Sequence, residues 1–301
     1  MLKQLEISGH ASGPNLLVFG GVHGDEFEPM AAIRRLAQEL NPAELRGKVT
    51  LVPVVNEPAF FRGSRTAEDG LDLARTFPGK PDGSVTERIA HAATALIAAA
   101  DYFIDLHTGG SQFGILPLAG YGLVPQQPLL DTQRRMARAF NLPVVWGTDW
   151  RLNGRSLSAA RDAGVPAIYA EYHGSAVCDP AGVAAYVAGC LNVMAELGLL
   201  DRPRPPSRVK YFVEDDRPSA GHLQICHPAP ITGFFEPAVQ LGQAINAGEP
   251  LGTVCDILGQ QIKTIPAAET GIILLLNTFS RVKQGDSVAV ILPKERMKDE
   301  G

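Results

Sequence analysis

The chain has 301 residues, 45% apolar and 20% charged, an ordinary globular composition that excludes a disordered polar chain. A net charge of -5 and a pI near 5.8 offer no basic face for nucleic acid. No window reaches the roughly 18 uncharged apolar residues of a membrane helix, and Met1–Glu6 lacks the apolar core of a signal peptide, so a cytoplasmic location is expected.

Leu16–Phe19 is a short apolar run ending in Gly20-Gly21, which predicts a buried strand feeding a tight turn. Met30, Ile33, Ala37 and Leu40 recur at helical spacing across Pro29–Leu40, and Val49–Val55 predicts the next buried strand. Ser84-Val-Thr-Glu87 is a capping box opening an Ala-rich helix that runs to about Ala100. Tyr102–Leu106 predicts a strand whose end delivers His107. Leu142–Trp146 and Ala167–Ala170 predict two more strands, and Ala181–Leu197 a closing helix. This alternation points to an α/β sheet domain over residues 1–200. Asp201–Ser207, with three prolines, reads as a linker. Beyond it, glycines from Gly233 to Gly285 punctuate short β-like runs, so residues 208–301 are expected to form a small all-β domain. Lys294–Gly301 is charged and expected to fray. The four cysteines, Cys178, Cys190, Cys226 and Cys255, form no CxxC pair and are read as free buried thiols.

The stretch richest in chemistry is Gly20-Gly-Val-His-Gly-Asp-Glu26. His23 and Glu26, two residues apart between glycines and just past a strand, can bend toward a common point. His107 stands at another strand end, where open α/β sheets place their ligands. Two imidazoles and a carboxylate form the donor set of a catalytic zinc, with a position left open for water. Either histidine alone would more often be an ordinary turn residue; the reading rests on the set.

Further segments join this one: Asn56-Glu-Pro-Ala59, Arg65, Asp69-Gly-Leu-Asp-Leu-Ala-Arg75, Phe77-Pro-Gly79, Asp105–Gly109 and Val165–Glu171. In this order the chain resembles the succinylglutamate desuccinylase/aspartoacylase family, a branch of the zinc carboxypeptidase-like fold. The resemblance covers the first 175 or so residues. It implies an α/β fold with a twisted mixed sheet flanked by helices, and one Zn2+ held by His23, Glu26 and His107. Glu171 matches the family's general base, and Arg65 the arginine that stabilises the oxyanion. Arg75 matches the arginine that grips a substrate carboxylate. Asp72 matches the carboxylate that fixes the tautomer of a metal-bound histidine, His23, and Asp105 is assigned a similar supporting role.

One position departs. The family usually has Asp-Leu-Asn-Arg where this chain has Asp72-Leu-Ala-Arg75. Ala74 cannot donate the amide hydrogen bond that helps the arginine hold a carboxylate, a loss of roughly 1.5–3 kcal/mol. Arg155 and Arg161 are candidate replacements. His173, Trp146 and Trp150 are read as turn and packing residues. The C-terminal region looks like a lipoyl/biotinyl-type half-barrel, yet Lys263, in Gln-Ile-Lys-Thr, does not match a carrier lysine.

The expected activity is zinc-dependent hydrolysis of a small N-acyl amine or N-acyl amino acid. The expected partner is that small molecule, with no nucleic acid or membrane, and with self-association open. Rival readings are a metallocarboxypeptidase acting on short peptides, a catalytically silent binding protein on the same fold, and a carrier or scaffold built around the half-barrel.

Overall fold

Leu16, Leu17, Val18 and Phe19 are all buried, the mark of a strand covered on both faces. In the computed structural model, which describes residues 2–298, alternate side chains of this strand enter different cores. Leu16 and Val18 pack into one, Leu17 and Phe19 into another.

Nine strands form the large sheet. In chain order the first strands are β1 (Leu5–Ser8), β2 (Ala11–Phe19), β3 (Arg46–Val52), β4 (Tyr102–His107), β5 (Phe113–Ile115), β6 (Leu118–Gly122), β7 (Val144–Thr148), β8 (Ala167–Glu171) and β9 (Tyr211–Glu214). All but β5 join the large sheet. A C-terminal series follows: β10 (Gly233–Pro237), β11 (Ala244–Ile245), β12 (Pro250–Cys255), β13 (Ile262–Pro266), β14 (Gly271–Asn277), β15 (Arg281–Val282), β16 (Ala289–Pro293) and β17 (Met297–Lys298). The large sheet runs β1-β3-β2-β4-β8-β6-β7-β9-β17. Strands β3, β2, β4 and β8 are mutually parallel, and β6 pairs antiparallel with β8. The sheet is therefore mixed, as expected, and its direction changes beside β8.

The helices are α1 (Phe27–Glu39), α2 (Glu57–Arg62), α3 (Val85–Ala98), α4 (Gln127–Phe140), α5 (Ser156–Ala163) and α6 (Pro180–Glu196). Ile33 and Leu36 of α1, Met136 and Phe140 of α4, and Tyr186 and Val193 of α6 cover one face of the sheet. Ala90, Ala93 and Ile97 of α3, with Ala159 and Ala160 of α5, cover part of the other. The capping box at Ser84 and Glu87 forms as predicted. The predicted strands and helices all occur, with ends shifted by a few residues: Val49–Val55 becomes β3, which stops before Pro53. No described helix is long and apolar enough to cross a membrane.

The C-terminal strands pack directly on the large sheet. Leu274, Leu275, Val290 and Leu292 meet Leu118, Val144, Trp146 and Val213 where helices are absent from that face. Strand pairing crosses the expected boundary at residue 208: β9 and β17 extend the large sheet, and β5 pairs with β14. Lys294–Gly301 is not simply frayed, because Lys294–Arg296 forms a helical turn and β17 pairs with β9; residues 299–301 lie outside the described residues. The cysteines are free, but only Cys190 is fully buried, and Cys178 is exposed.

Candidate active site

Strands β2, β4 and β8 lie side by side, and their C-terminal ends supply the site. After β2 the chain turns at Gly21 (φ 63°), a backbone conformation that suits glycine. Gly24 packs so closely on α2 that a Cβ there would run into the Ala59 carbonyl. Asn56 caps α2 through the Ala59 amide and donates to the Val22 carbonyl, which ties α2 to the turn carrying His23. On the neighbouring parallel strands, His107 and Glu171 are partners in register, so their side chains leave the sheet on the same side.

His23, Glu26 and His107 are buried, and their donor atoms lie within 4.8 Å of one another. Nδ1 of His23 is 2.7 Å from Glu26 Oε1, and Nδ1 of His107 is 3.1 Å from Oε2. The opposite ring nitrogens face carboxylates: His23 Nε2 is 3.0 Å from Asp72, and His107 Nε2 is 3.0 Å from Asp105. Both Asp72 and Asp105 thus sit where a carboxylate fixes ring orientation and turns Nδ1 inward. The donor set fits a divalent ion of the zinc type, which favours imidazole and carboxylate and needs only three protein ligands.

Arg65 donates to Asp72 from Nη2 at 3.0 Å, and its Nη1 stands 3.8 Å from Glu26. Burial opposes charge at Asp72, but His23 and Arg65 outweigh it and hold the carboxyl well below the usual range. Burial likewise opposes charge at Glu26, where His23 and His107 prevail and lower it. Glu171 behaves differently. Burial pushes its carboxyl up to about 8, and among the described residues its Oε2 has no hydrogen-bond partner. A carboxylate buried in this way is held at a cost to stability, and perturbed groups of this kind cluster at functional sites.

One pocket is lined by His23, Glu26, Arg65, Asp105, His107 and Glu171 together with Arg75, Arg155 and Arg161, and Asp72 stands behind it on His23 and Arg65. Arg161 is engaged elsewhere: it donates to the Trp150 carbonyl, Asn153 and Asp162. Arg75 donates to the Ala74 carbonyl and to Gln224, and Arg155 donates to the Gly221 carbonyl. Burial, then the charge of Arg155, push Arg75 down to about 10. Trp146 packs in the core as expected, whereas Trp150 lines the pocket. His173 (φ 39°) is held by backbone hydrogen bonds to Gly109 and Ile115 and does not line it.

Sequence reasoning missed Gly221, Leu223 and Gln224, which reach the pocket from the segment after β9, and Leu275 from β14. No local pattern marks them. Tyr169 was also missed, though it stands two residues before Glu171 on β8, so the alternation of a strand would have found it.

Residues 12–197 match the family described as the succinylglutamate desuccinylase/aspartoacylase catalytic domain. The chain belongs to the succinylglutamate desuccinylase/aspartoacylase family. Within reach of that family, it is 32% identical over 290 residues to an N-alpha-acetyl-L-2,4-diaminobutyric acid deacetylase from Halomonas elongata, covering 93% of this chain and 82% of the relative. A succinylglutamate desuccinylase/aspartoacylase from Rhodobacter sphaeroides superposes with a TM-score of 0.87 at 27% identity, covering 99% of this chain and 89% of that one. The product-bound ectoine utilization protein EutE (DoeB) from Ruegeria pomeroyi superposes with a TM-score of 0.87, also at 27% identity, over 97% of this chain and 88% of that one. The family likeness thus extends past the catalytic match into the C-terminal strands.

Proposed function

We propose that the chain is a zinc-dependent deacylase that hydrolyses the amide of a small N-acyl amino acid. The observation that carries this reading is the donor set of His23, Glu26 and His107, sharing a pocket with a buried Glu171 whose Oε2 has no hydrogen-bond partner among the described residues. The deacylase names of its relatives point the same way, and the Halomonas protein suggests an α-N-acetyl amino acid as the substrate class. A zinc ion held by His23, Glu26 and His107 would polarise the amide carbonyl and lower the pKa of water to about 7.

Glu171 accepts the proton of the attacking water and passes it to the amide nitrogen as the C–N bond breaks. The water oxygen stays on the acyl carbon, so the products are a carboxylic acid and a free amine. Arg65, braced by Asp72, donates to the oxygen that gains negative charge. Asp72 and Asp105 keep the two imidazoles turned toward Glu26. Arg75 and Arg155 receive the carboxylate of the amino-acid part, while Arg161 stiffens the pocket wall. In this reading residues 1–200 perform the reaction on a zinc carboxypeptidase-like sheet, and the C-terminal strands, of half-barrel type, cover the pocket. The segment carrying Leu223 and Gln224 narrows the pocket, which favours a small substrate over a peptide.

The test is metal content of the purified chain by inductively coupled plasma mass spectrometry, with His23→Ala and Glu171→Gln beside it. The expected result is about one zinc per chain, lost in His23→Ala and kept in Glu171→Gln, whose turnover of N-acetyl amino acids disappears. A wild-type chain that takes up no stoichiometric zinc when zinc is supplied sinks the reading.

A further inference from the structure

Four arginines border the pocket, and two of them are already neutralised. Arg65 is answered by Asp72, and Arg161 by Asp162. Arg75 and Arg155 make no salt bridge among the described residues; their partners are neutral oxygens of Ala74, Gln224 and Gly221. The two guanidinium groups line the same pocket and repel one another, Asp72 offsets part of that repulsion at a distance, and an anion between them would be drawn to both.

Ala74 deprives this place of the amide that the family motif would supply. Another amide stands there instead. Arg75 Nη2 lies 2.8 Å from the Gln224 side chain. A guanidinium only donates, so the atom it meets is the carbonyl oxygen Oε1, and the Nε2 amide hydrogens are turned away from Arg75. Among the described residues Nε2 has no hydrogen-bond partner. The segment is pinned in place: Ser219 N donates to Asp149, and His222 N donates to the Ser219 carbonyl.

We propose that Gln224 is a specificity-determining residue that replaces the amide missing at Ala74 and, with Arg75 and Arg155, holds the substrate carboxylate. This rests on the deacylase reading and deepens it. Oε1 orients the fork of Arg75, and Nε2 donates to the carboxylate beside it. The amide arrives from 149 residues further along the chain, outside the stretch that matches the catalytic family.

The experiment compares N-acetyl-L-2,4-diaminobutyrate with N-acetyl-1,3-diaminopropane, the same amide without its carboxylate, on the zinc-loaded full chain. Gln224→Ala is expected to raise KM for the first about tenfold, with kcat changing far less, and to leave KM for the second within about twofold. Gln224→Glu, which sets a negative charge against the incoming carboxylate, weakens the first substrate further. Adding Ala74→Asn to Gln224→Ala restores part of the lost affinity. An equal loss on both amides, or a loss in kcat alone, overturns the assignment. If the wild type hydrolyses neither amide, N-acetyl-L-2,4-diaminobutyrate is excluded as its substrate, and the deacylase reading is judged separately by zinc content and turnover of other N-acetyl amino acids. Calorimetric binding of L-2,4-diaminobutyrate and 1,3-diaminopropane then decides on Gln224: a preference for the carboxylate that Gln224→Ala abolishes upholds it, and no preference rejects it.

Discussion

At the scale of single residues, the site depends on two kinds of position, those that carry chemistry and those that leave room for it. Glu171 is the first kind. Its Oε2 has no hydrogen-bond partner among the described residues, so replacing the carboxylate by an amide costs little packing and removes only the proposed proton acceptor. Glu171→Gln is expected to lower kcat by about 10²–10⁴ while the zinc content stays. Steady-state kinetics beside metal analysis checks this, and a variant keeping a tenth of wild-type kcat would assign the base elsewhere. Gly24 is the second kind. Any Cβ there meets the main chain of α2 at Ala59, and backbone cannot swing aside as a side chain can. Gly24→Ala is expected to cost about 1–3 kcal/mol in urea unfolding and to lower zinc affinity, because the turn must move His23 and Glu26. Unaltered stability and affinity would mean that α2 is free to yield.

At the scale of elements, the far edge of the large sheet is stitched by one carboxylate. Glu214 of β9 accepts hydrogen bonds from Tyr121 of β6 at 2.7 Å and Arg134 of α4 at 2.7 Å, and also pairs with Lys298 of β17. Burial pushes the Glu214 carboxyl up, but Arg134, Lys298 and Tyr121 outweigh it and hold it at about 2. A carboxyl whose folded pKa lies below its unfolded value stabilises the fold above the unfolded pKa. That stability is lost as pH falls from about 4.5 toward 2. Glu214→Gln should therefore be less stable than wild type at pH 7 by about 1–2 kcal/mol, a figure discounted for partial solvent exposure. The gap between the two chemical-denaturation midpoints should narrow as the pH drops below 4.5. A gap that stays constant with pH would assign the effect to packing instead.

At the scale of the whole molecule, the two parts share strands and a core. Leu274 and Leu292 of the C-terminal strands are fully buried against Val144 and Trp146 of the large sheet. Leu274→Ala or Leu292→Ala is expected to cost about 2–5 kcal/mol. Calorimetry should show one unfolding transition that moves as a unit in both variants. Two transitions, with only one displaced, would mean that the C-terminal strands fold independently.

The local code determined much of this molecule. The apolar run Leu16–Phe19, the capping box at Ser84, and the strand-end placement of His23, Glu26, His107 and Glu171 were legible because strands, caps and tight turns are set by neighbours in sequence. The departure at Ala74 was legible too, as an absence. The amide that meets Arg75 was not, since Gln224 reaches it only after β9 has joined the large sheet and its following segment has come to line the pocket. The same reason hid the exchange of strands across residue 208: pairing of β5 with β14, and of β17 with β9, depends on which edges and faces remain uncovered after folding. Arg155 and Arg161 were both candidates in the sequence, and tertiary structure separated them by turning Arg161 to the Trp150 carbonyl and Asn153 and Arg155 to the Gly221 carbonyl. Periodicity reports which side of an element is buried; it carries no information about which distant groups will meet there.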